Sequence, residues 1–303
     1  MKIDRTCPQV KDLCLVPKPS SWTPSVGHLD VQSVNQNPPL WYSVDALAVR
    51  CNLPPLQDDR CVLTNLEKDD MIPADGYRIE ITPEWLDVRS GAQKGAHYAG
   101  MALLVLREIN DGNIPCGVME DHPRFEWRGQ HLDCARHFYK VDSINKLIDV
   151  IELLKINRVQ WHFSDDEAFC LELQSVLELA KKTRLGGENR LIPSVFGDVP
   201  MVGGVYSKEN VKSIIEYKKS VFIEVSPEIE CPAHALAVTR ALPETRDAND
   251  IGTVASVQVY SENVLKPVIP ETWQIIESIS QKVSTLFPLG MLLLGADELP
   301  EMT

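Results

Sequence analysis

The sequence predicts an α/β protein: the first half, about four βα units, of a (β/α)8 TIM barrel, preceded by a small α+β domain. Three observations carry this. From about Pro123 onward, short apolar runs suited to strands alternate with stretches at helical spacing, an order that calls for a parallel sheet with helical crossovers. Polar clusters fall just after each strand's carboxyl end, where barrel active sites are built. No glycine-rich phosphate fingerprint follows any strand, which counts against a doubly wound dinucleotide fold.

Residues 1 to about 70 read as irregular, with Pro17, Pro19, Pro24, Pro38, Pro39, Pro54 and Pro55 interrupting runs such as Ala46-Leu47-Ala48-Val49. From Gly76 the pattern sharpens. Tyr77 to Ile81 alternates as a half-buried strand should, and Trp85-Leu86-Asp87-Val88 follows a turn at Pro83, so the two predict a hairpin. Ser90 can cap a helix with Ala96, Ala99, Leu103 and Leu106 on one face, ending before Asp111-Gly112. The domain boundary is expected near Asp121-His122-Pro123, dividing residues 1–121 from a partial barrel over 122–303.

Four strand candidates follow: Trp127 to Asp133, Arg158 to Phe163, Val221 to Val225, and Met291 to Leu294, the last a buried-looking run bounded by Pro288 and Gly295. Asp142 is placed to cap the first barrel helix, Ser207 the next long one, and Pro270 to open a third, with a short helix after Pro232. The segment from about 165 to 206 reads as a long loop, a form that usually carries function or motion. A full barrel takes roughly 250 residues. Four strands make half of one, so the chain reads as C-terminally truncated.

At 303 residues, with 44% hydrophobic and 24% charged residues, the chain is an ordinary globular one. Its formal charge of −13 and lack of a basic cluster exclude nucleic acid as the natural partner. No apolar core of a secretory signal and no membrane span is visible, which points to a cytoplasmic protein. Eight cysteines without a CxxC pair are read as reduced thiols.

Four groups at strand ends could carry chemistry: Asp133 with Arg136 and His137; His162 with Asp165 and Asp166; Glu228, Glu230 and His234; and Asp297 with Glu298. Taken singly, each is an ordinary helix cap or ion pair. Adjacent strand residues point to opposite faces, so Asp297 and Glu298 share a site only where the strand has become loop, as Gly295-Ala296 permits. A minor alternative is a metallohydrolase shell of His131, Asp133, His162, His234 and Asp297.

Read in order, Trp127-Arg128-Gly129-Gln130-His131-Leu132-Asp133-Cys134-Ala135-Arg136-His137-Phe138, Trp161-His162-Phe163-Ser164-Asp165-Asp166, Pro227-Glu228-Ile229-Glu230-Cys231-Pro232-Ala233-His234 and Gly295-Ala296-Asp297-Glu298 resemble the successive motifs of glycoside hydrolase family 20, the β-N-acetylhexosaminidases. The resemblance runs from about Tyr77 to the chain end.

It implies hydrolysis of terminal non-reducing N-acetyl-β-hexosamine residues by a substrate-assisted retaining mechanism, in which the substrate's own acetamido oxygen attacks the anomeric carbon. By resemblance, Glu298 is the acid and later the base, Asp297 orients the acetamido group, Asp165 and His234 relay to Glu298, Arg136 binds sugar hydroxyls and Glu230 supports the site. Two carboxylates side by side raise one another's proton affinity, which suits acid work. No metal or cofactor is implied, and the partner is an N-acetylglucosamine- or N-acetylgalactosamine-terminated glycan.

Cys170, Leu293 and Ala233 depart from the family's usual arginine, histidine and glycine. The family's acetamido pocket draws on strands five to eight, so weak or absent activity of the isolated chain is expected. The alternative is an inactive remnant or subunit that binds amino sugar, a second copy in a homodimer, or a chain supplying the complementary half barrel.

Overall fold

A computed structural model describes residues 11–30, 42–51, 63–187, 189–192, 202–246, 262–288 and 290–298. The chain divides into two compact units. One comprises Met1–Arg128, Leu147–Asn157 and Ser220–Phe222, and the other Gly129–Lys146, Arg158–Lys219 and Ile223–Thr303.

The first unit holds β1 (Ser21–Asp30), α1 (Tyr42–Arg50), β2 (Leu63–Lys68), β3 (Tyr77–Ile81), β4 (Trp85–Ser90), α2 (Gln93–Ile109) and β5 (Asn113–Asp121). The strands form one sheet in the order β1-β5-β3-β4-β2, antiparallel except for the β2–β4 pair. The predicted hairpin is β3–β4, paired Tyr77 to Ser90 through Ile81 to Leu86. Its alternation buries Tyr77, Ile79 and Ile81 against Tyr98, Met101 and Leu104 of α2 in a single apolar core.

The second unit follows with β6 (Gly129–Asp133), α3 (Val141–Leu153), β7 (Arg158–His162), β8 (Ser164–Asp165), β9 (Ala168–Phe169), α4 (Leu177–Thr183), β10 (Leu185–Gly186), β11 (Val202–Gly203), α5 (Lys208–Lys219), β12 (Glu224–Ile229), α6 (Leu236–Ala241), α7 (Pro270–Leu286) and β13 (Leu293–Leu294). The division between the units falls inside α3. Strands β6, β7, β12 and β13 make a parallel sheet in sequence order, the winding of the first four βα units of a barrel. Behind it, Trp161 and Phe163 pack at 4.5 Å and Trp161 and Tyr206 at 4.9 Å between ring centroids, and Phe138 stacks on Tyr206 at 4.6 Å. No helix among the described residues is long and apolar enough to cross a membrane. Cys14, Cys51, Cys134, Cys170 and Cys231 are free thiols and Cys116 is buried, while Cys7 and Cys61 lie outside the described residues.

Several sequence expectations need correction. Residues 1 to 70 are not irregular throughout: β1, α1 and β2 lie there, β1 pairing with β5 through a bulge between Pro24 and His28. A bulged edge strand is where proline is tolerated, so the prolines hid it. Ser90 ends β4 rather than capping α2, whose cap position is Ala92. Asp142 stands in the first turn of α3, whose first backbone bond runs from the Ile144 N–H to the Lys140 carbonyl. The first two barrel strands are trimmed to Gly129–Asp133 and Arg158–His162, and the third runs Glu224–Ile229 instead of Val221 to Val225. The stretch from 165 to 206 carries short pairings and α4 rather than plain loop. The last strand shrinks to Leu293–Leu294 and is not buried, Leu294 being 50% exposed.

Ser207 caps α5 as expected. Its Oγ accepts the Asn210 N–H at 3.2 Å while its own N–H donates to Asn210 Oδ1 at 3.1 Å, a reciprocal box. Ser207→Ala is expected to cost about 1 kcal/mol, read as a lower urea midpoint at unchanged slope.

Candidate active site

Parallel pairing brings four strand ends to one level. Asp133 stands opposite His162, His162 opposite Glu228, and Glu228 opposite Leu293. The first three form the floor of the site. Glu228 Oε2 lies 3.0 Å from His131 Nε2, 3.0 Å from His162 Nδ1, and accepts from Gln160 Nε2 at 2.8 Å. The other imidazole nitrogen, His162 Nε2, is 3.1 Å from Asp165 Oδ2. Burial pulls the His162 proton affinity down, but the Asp165 and Glu228 carboxylates outweigh it and raise its pKa to about 10. Burial likewise works against the Glu228 charge, and the two histidines and Gln160 nevertheless hold its pKa well below the carboxylate range.

Just past β7, Asp165 is fully buried and gathers cations. Arg136 Nη2 is 2.7 Å from its Oδ2, and His234 Nδ1 is 3.3 Å from its Oδ1. Burial opposes this charge too, yet His162, His234 and Arg136 hold its pKa well below normal. Arg136 is aimed by Asp133, whose Oδ1 accepts the N–H groups of Ala135 and Arg136 at 3.0 Å and whose Oδ2 takes Nη1 at 3.1 Å.

The adjacent acid has a different task. Asp166 accepts the Leu236 N–H at 3.1 Å and Asn263 Nδ2 at 3.2 Å, and so anchors the start of α6. That anchoring holds His234, in a left-handed conformation at φ 49°, with its Nδ1 facing Asp165 and Asp166. Both carboxylates push the His234 pKa up to about 11. Its other nitrogen, Nε2, lies 3.4 Å from Glu298 Oε2 and 3.8 Å from Asp297 Oδ2.

Asp297 and Glu298 leave the strand as the sequence predicts, after Gly295-Ala296. Ala296 takes φ 122° and Glu298 φ 51°, values that cost a non-glycine residue roughly 1–3 kcal/mol. The Asp297 side chain is 70% exposed and that of Glu298 35%. Glu230 hydrogen-bonds through its N–H to Ser164 Oγ at 2.9 Å and lays its carboxylate against the bare Cα of Gly295, where a Cβ would overlap it. Burial raises the Glu230 pKa to about 7, with Asp297 and Asp165 adding to the rise.

The structure therefore brings Arg136, Asp165, His234, Glu230, Asp297 and Glu298 into one cluster with His162 and Glu228, while the His137 ring turns to Tyr139 at 4.6 Å. Sequence reading missed Glu167. It is buried 3.9 Å from Arg136 Nε, with neither carboxylate oxygen hydrogen-bonded, and burial next to Asp165 and Asp166 raises its pKa to about 8. The run of three acids, Asp165-Asp166-Glu167, was the available signal.

His131, His162 and Glu228 lie close enough to share a cation. Asp133, His162 and Asp165 do so too, as do Asp165, Asp166 and His234, but no one group among the described residues gathers His131, Asp133, His162, His234 and Asp297, the shell of the metallohydrolase alternative.

Acids, imidazoles and a guanidinium gather at the carboxyl ends of sequentially ordered parallel βα strands, where proteins of the (β/α) barrel class build their sites. Comparison narrows this. Residues 125–303 match the model of the glycosyl hydrolase family 20 catalytic domain. A β-hexosaminidase of Vibrio furnissii is 32% identical over 229 residues, 74% of this chain and 38% of that protein. One from Akkermansia muciniphila is 31% identical over 255 residues, 81% and 50% respectively. The solved exo-β-N-acetylglucosaminidase of Vibrio harveyi in complex with N-acetylglucosamine superposes with a TM-score of 0.83 at 26% identity, over 95% of this chain and 47% of that one. The chain belongs to glycosyl hydrolase family 20. It spans half or less of the length of these relatives.

Proposed function

We propose that this chain provides the acid side of a β-N-acetylhexosaminidase site, removing terminal non-reducing N-acetyl-β-hexosamine from a glycan by a substrate-assisted retaining route. The observation that carries this reading is the line Asp165, His234, Glu298, with distances of 3.3 and 3.4 Å and Arg136 beside it. Glu298 donates its proton to the glycosidic oxygen as that bond to the anomeric carbon breaks. The acetamido oxygen forms the new bond to the same carbon, giving a cyclic oxazolinium. Water then forms a bond to this carbon as the bond to the acetamido oxygen breaks, which restores the acetamido group, and the proton that the water gives up returns to Glu298. Asp297 receives the acetamido N–H, and its charge offsets the positive charge that develops there. The charged His234, fixed by Asp165 and Asp166, steadies the Glu298 carboxylate between the two steps. Arg136 offers donors to sugar hydroxyls from a position set by Asp133.

A second reading, amino-sugar binding without turnover, is favoured by the 70% exposure of Asp297, because a solvated carboxylate exerts little field on a substrate. In that role the partner is a second copy or a complementary half-barrel chain.

The test compares nitrophenyl N-acetyl-β-glucosaminide with nitrophenyl β-glucoside, which lacks the acetamido nucleophile. The first should be cleaved at least ~100-fold faster. Equal rates would remove the substrate-assisted route. Saturable binding of N-acetylglucosamine with no cleavage of either substrate would establish the second reading.

A further inference from the structure

We propose that the first unit carries a ligand site of its own, selective for a small organic anion with a flat apolar body: an aryl or sugar carboxylate or phosphate monoester. The observation behind it is a cleft of about 580 Å³ lined only by residues of this unit. That volume falls in the range of small-molecule pockets, ~300–1,000 Å³.

Its charges are unusual for so acidic a chain. Lys18, Arg124, Arg128 and Lys155 line it, against Asp75 and Asp121, and the Lys18 ammonium is already paired with Asp12 at 2.8 Å. Both acids are already engaged. Asp121 Oδ2 accepts Lys155 Nζ at 2.6 Å and the Tyr77 hydroxyl at 3.2 Å, and its Oδ1 accepts the N–H and Oγ of Ser20, each at 3.2 Å. Asp75 pairs with Lys94 at 2.7 Å.

The donors are not all used. The buried Lys155 ammonium binds Asp121 and the Tyr77 oxygen, the latter at 2.8 Å, which commits two of its three hydrogens. Arg128 is locked inward, its Nε on the Lys155 carbonyl at 2.7 Å, Nη1 on the Phe125 carbonyl and Nη2 on the Tyr98 hydroxyl. Those bonds rigidify the wall that displays Arg124 and Phe125. Arg124 has no ion-pair partner among the described residues, and Phe125 faces the cleft while 69% exposed. Spent acceptors with spare donors favour an acceptor-rich ligand, and the free guanidinium favours one that takes a planar fork. The exposed ring and the flanking Pro17, Pro19 and Pro123 favour a flat body behind that head group.

The test is ligand-observed NMR and calorimetry on the whole chain, with phenyl phosphate, benzoate and neutral benzyl alcohol as probes. One equivalent of phenyl phosphate or benzoate should bind, at least ~10-fold tighter than benzyl alcohol, and Arg124→Gln should weaken the anion about tenfold. Phe125→Ser should weaken both anions. Phenyl phosphate binding alone assigns the site to phosphate monoesters, and equal binding of benzoate to either head group. Benzyl alcohol binding as tightly as the anions, an unchanged affinity in Arg124→Gln, no binding of either anion, or displacement of the probe by N-acetylglucosamine would each overturn the proposal. Both side chains are exposed and lie outside the acid cluster, so neither variant threatens the fold or the hydrolytic assay.

Discussion

On the proposed function, Glu298→Gln is expected to lower the cleavage of N-acetyl-β-hexosaminides by about 10²–10⁴-fold, the range that a positioned general acid supplies. The loss depends on the leaving group. A nitrophenolate departs without a proton, whereas an alkoxide does not, so a methyl glycoside loses far more rate than its nitrophenyl counterpart. Glutamine preserves shape and keeps a group facing His234 Nε2, which is 3.4 Å from the native carboxylate, so the Michaelis constant moves little. An equal loss on both substrates would mean that Glu298 acts by holding structure rather than by donating a proton. Asp297→Asn should behave differently, slowing both substrates alike, because the acetamido group takes part whatever the leaving group.

Asp165→Asn is the second large effect, and it falls on stability. The carboxylate is fully buried and faces Arg136, His162 and His234. Removing it takes one counter-charge from each of them, leaving Glu228, Asp166 and Asp133 to offset what remains, at a cost of about 3 kcal/mol. The pH dependence gives a signature. His162 and His234 have native pKa values raised from 6.5 to about 10 and about 11. Their contribution to stability is therefore complete below pH 6.5 and is lost as pH rises toward those values, because the native state holds protons that the unfolded state has released. Asp165 has the opposite sign. Its native pKa is depressed, so its contribution is present above its ordinary 3.8 and fades as pH falls. Wild-type protein should lose stability between about pH 7 and pH 10 in urea titrations, and Asp165→Asn should show a much shallower slope. An unchanged slope in the variant would show that the pairings contribute nothing.

The sequence made the βα order and the level of the acid cluster legible, because parallel strands advertise themselves as apolar runs and their carboxyl ends as abrupt polarity. Other features depended on distant partners. Strand β12 was misplaced because Pro227 argues against a central strand, while Val221-Phe222 looks apolar enough for one; the structure gives Phe222 φ 59°, which breaks a strand there. The run ending in Leu294 looked buried by composition, but burial needs a neighbour on each face, and β13 pairs only through β12 among the described residues. Asp165 and Asp166 are indistinguishable as letters. What separates them is the start of α6, where the Leu236 N–H and the Asn263 amide donate to Asp166, while His162 and Arg136 pair with Asp165. Glu167 went unnoticed for a related reason, since an acid in a turn is solvated unless later elements cover it.

The packing of Glu230 on Gly295 sets a carboxylate directly against the backbone of the last strand's end. Leu294 is in register with Ile229, and the Gly295 N–H donates to the Ile229 carbonyl at 3.1 Å, so the backbone passes Glu230 with clearance for a hydrogen atom and no more. A methyl group at 295 would meet the tip of the Glu230 side chain before any backbone, so it would turn that carboxylate out of its place and leave the strand where it is. The missing atom at 295 thus reserves a berth for a carboxylate beside the strand end.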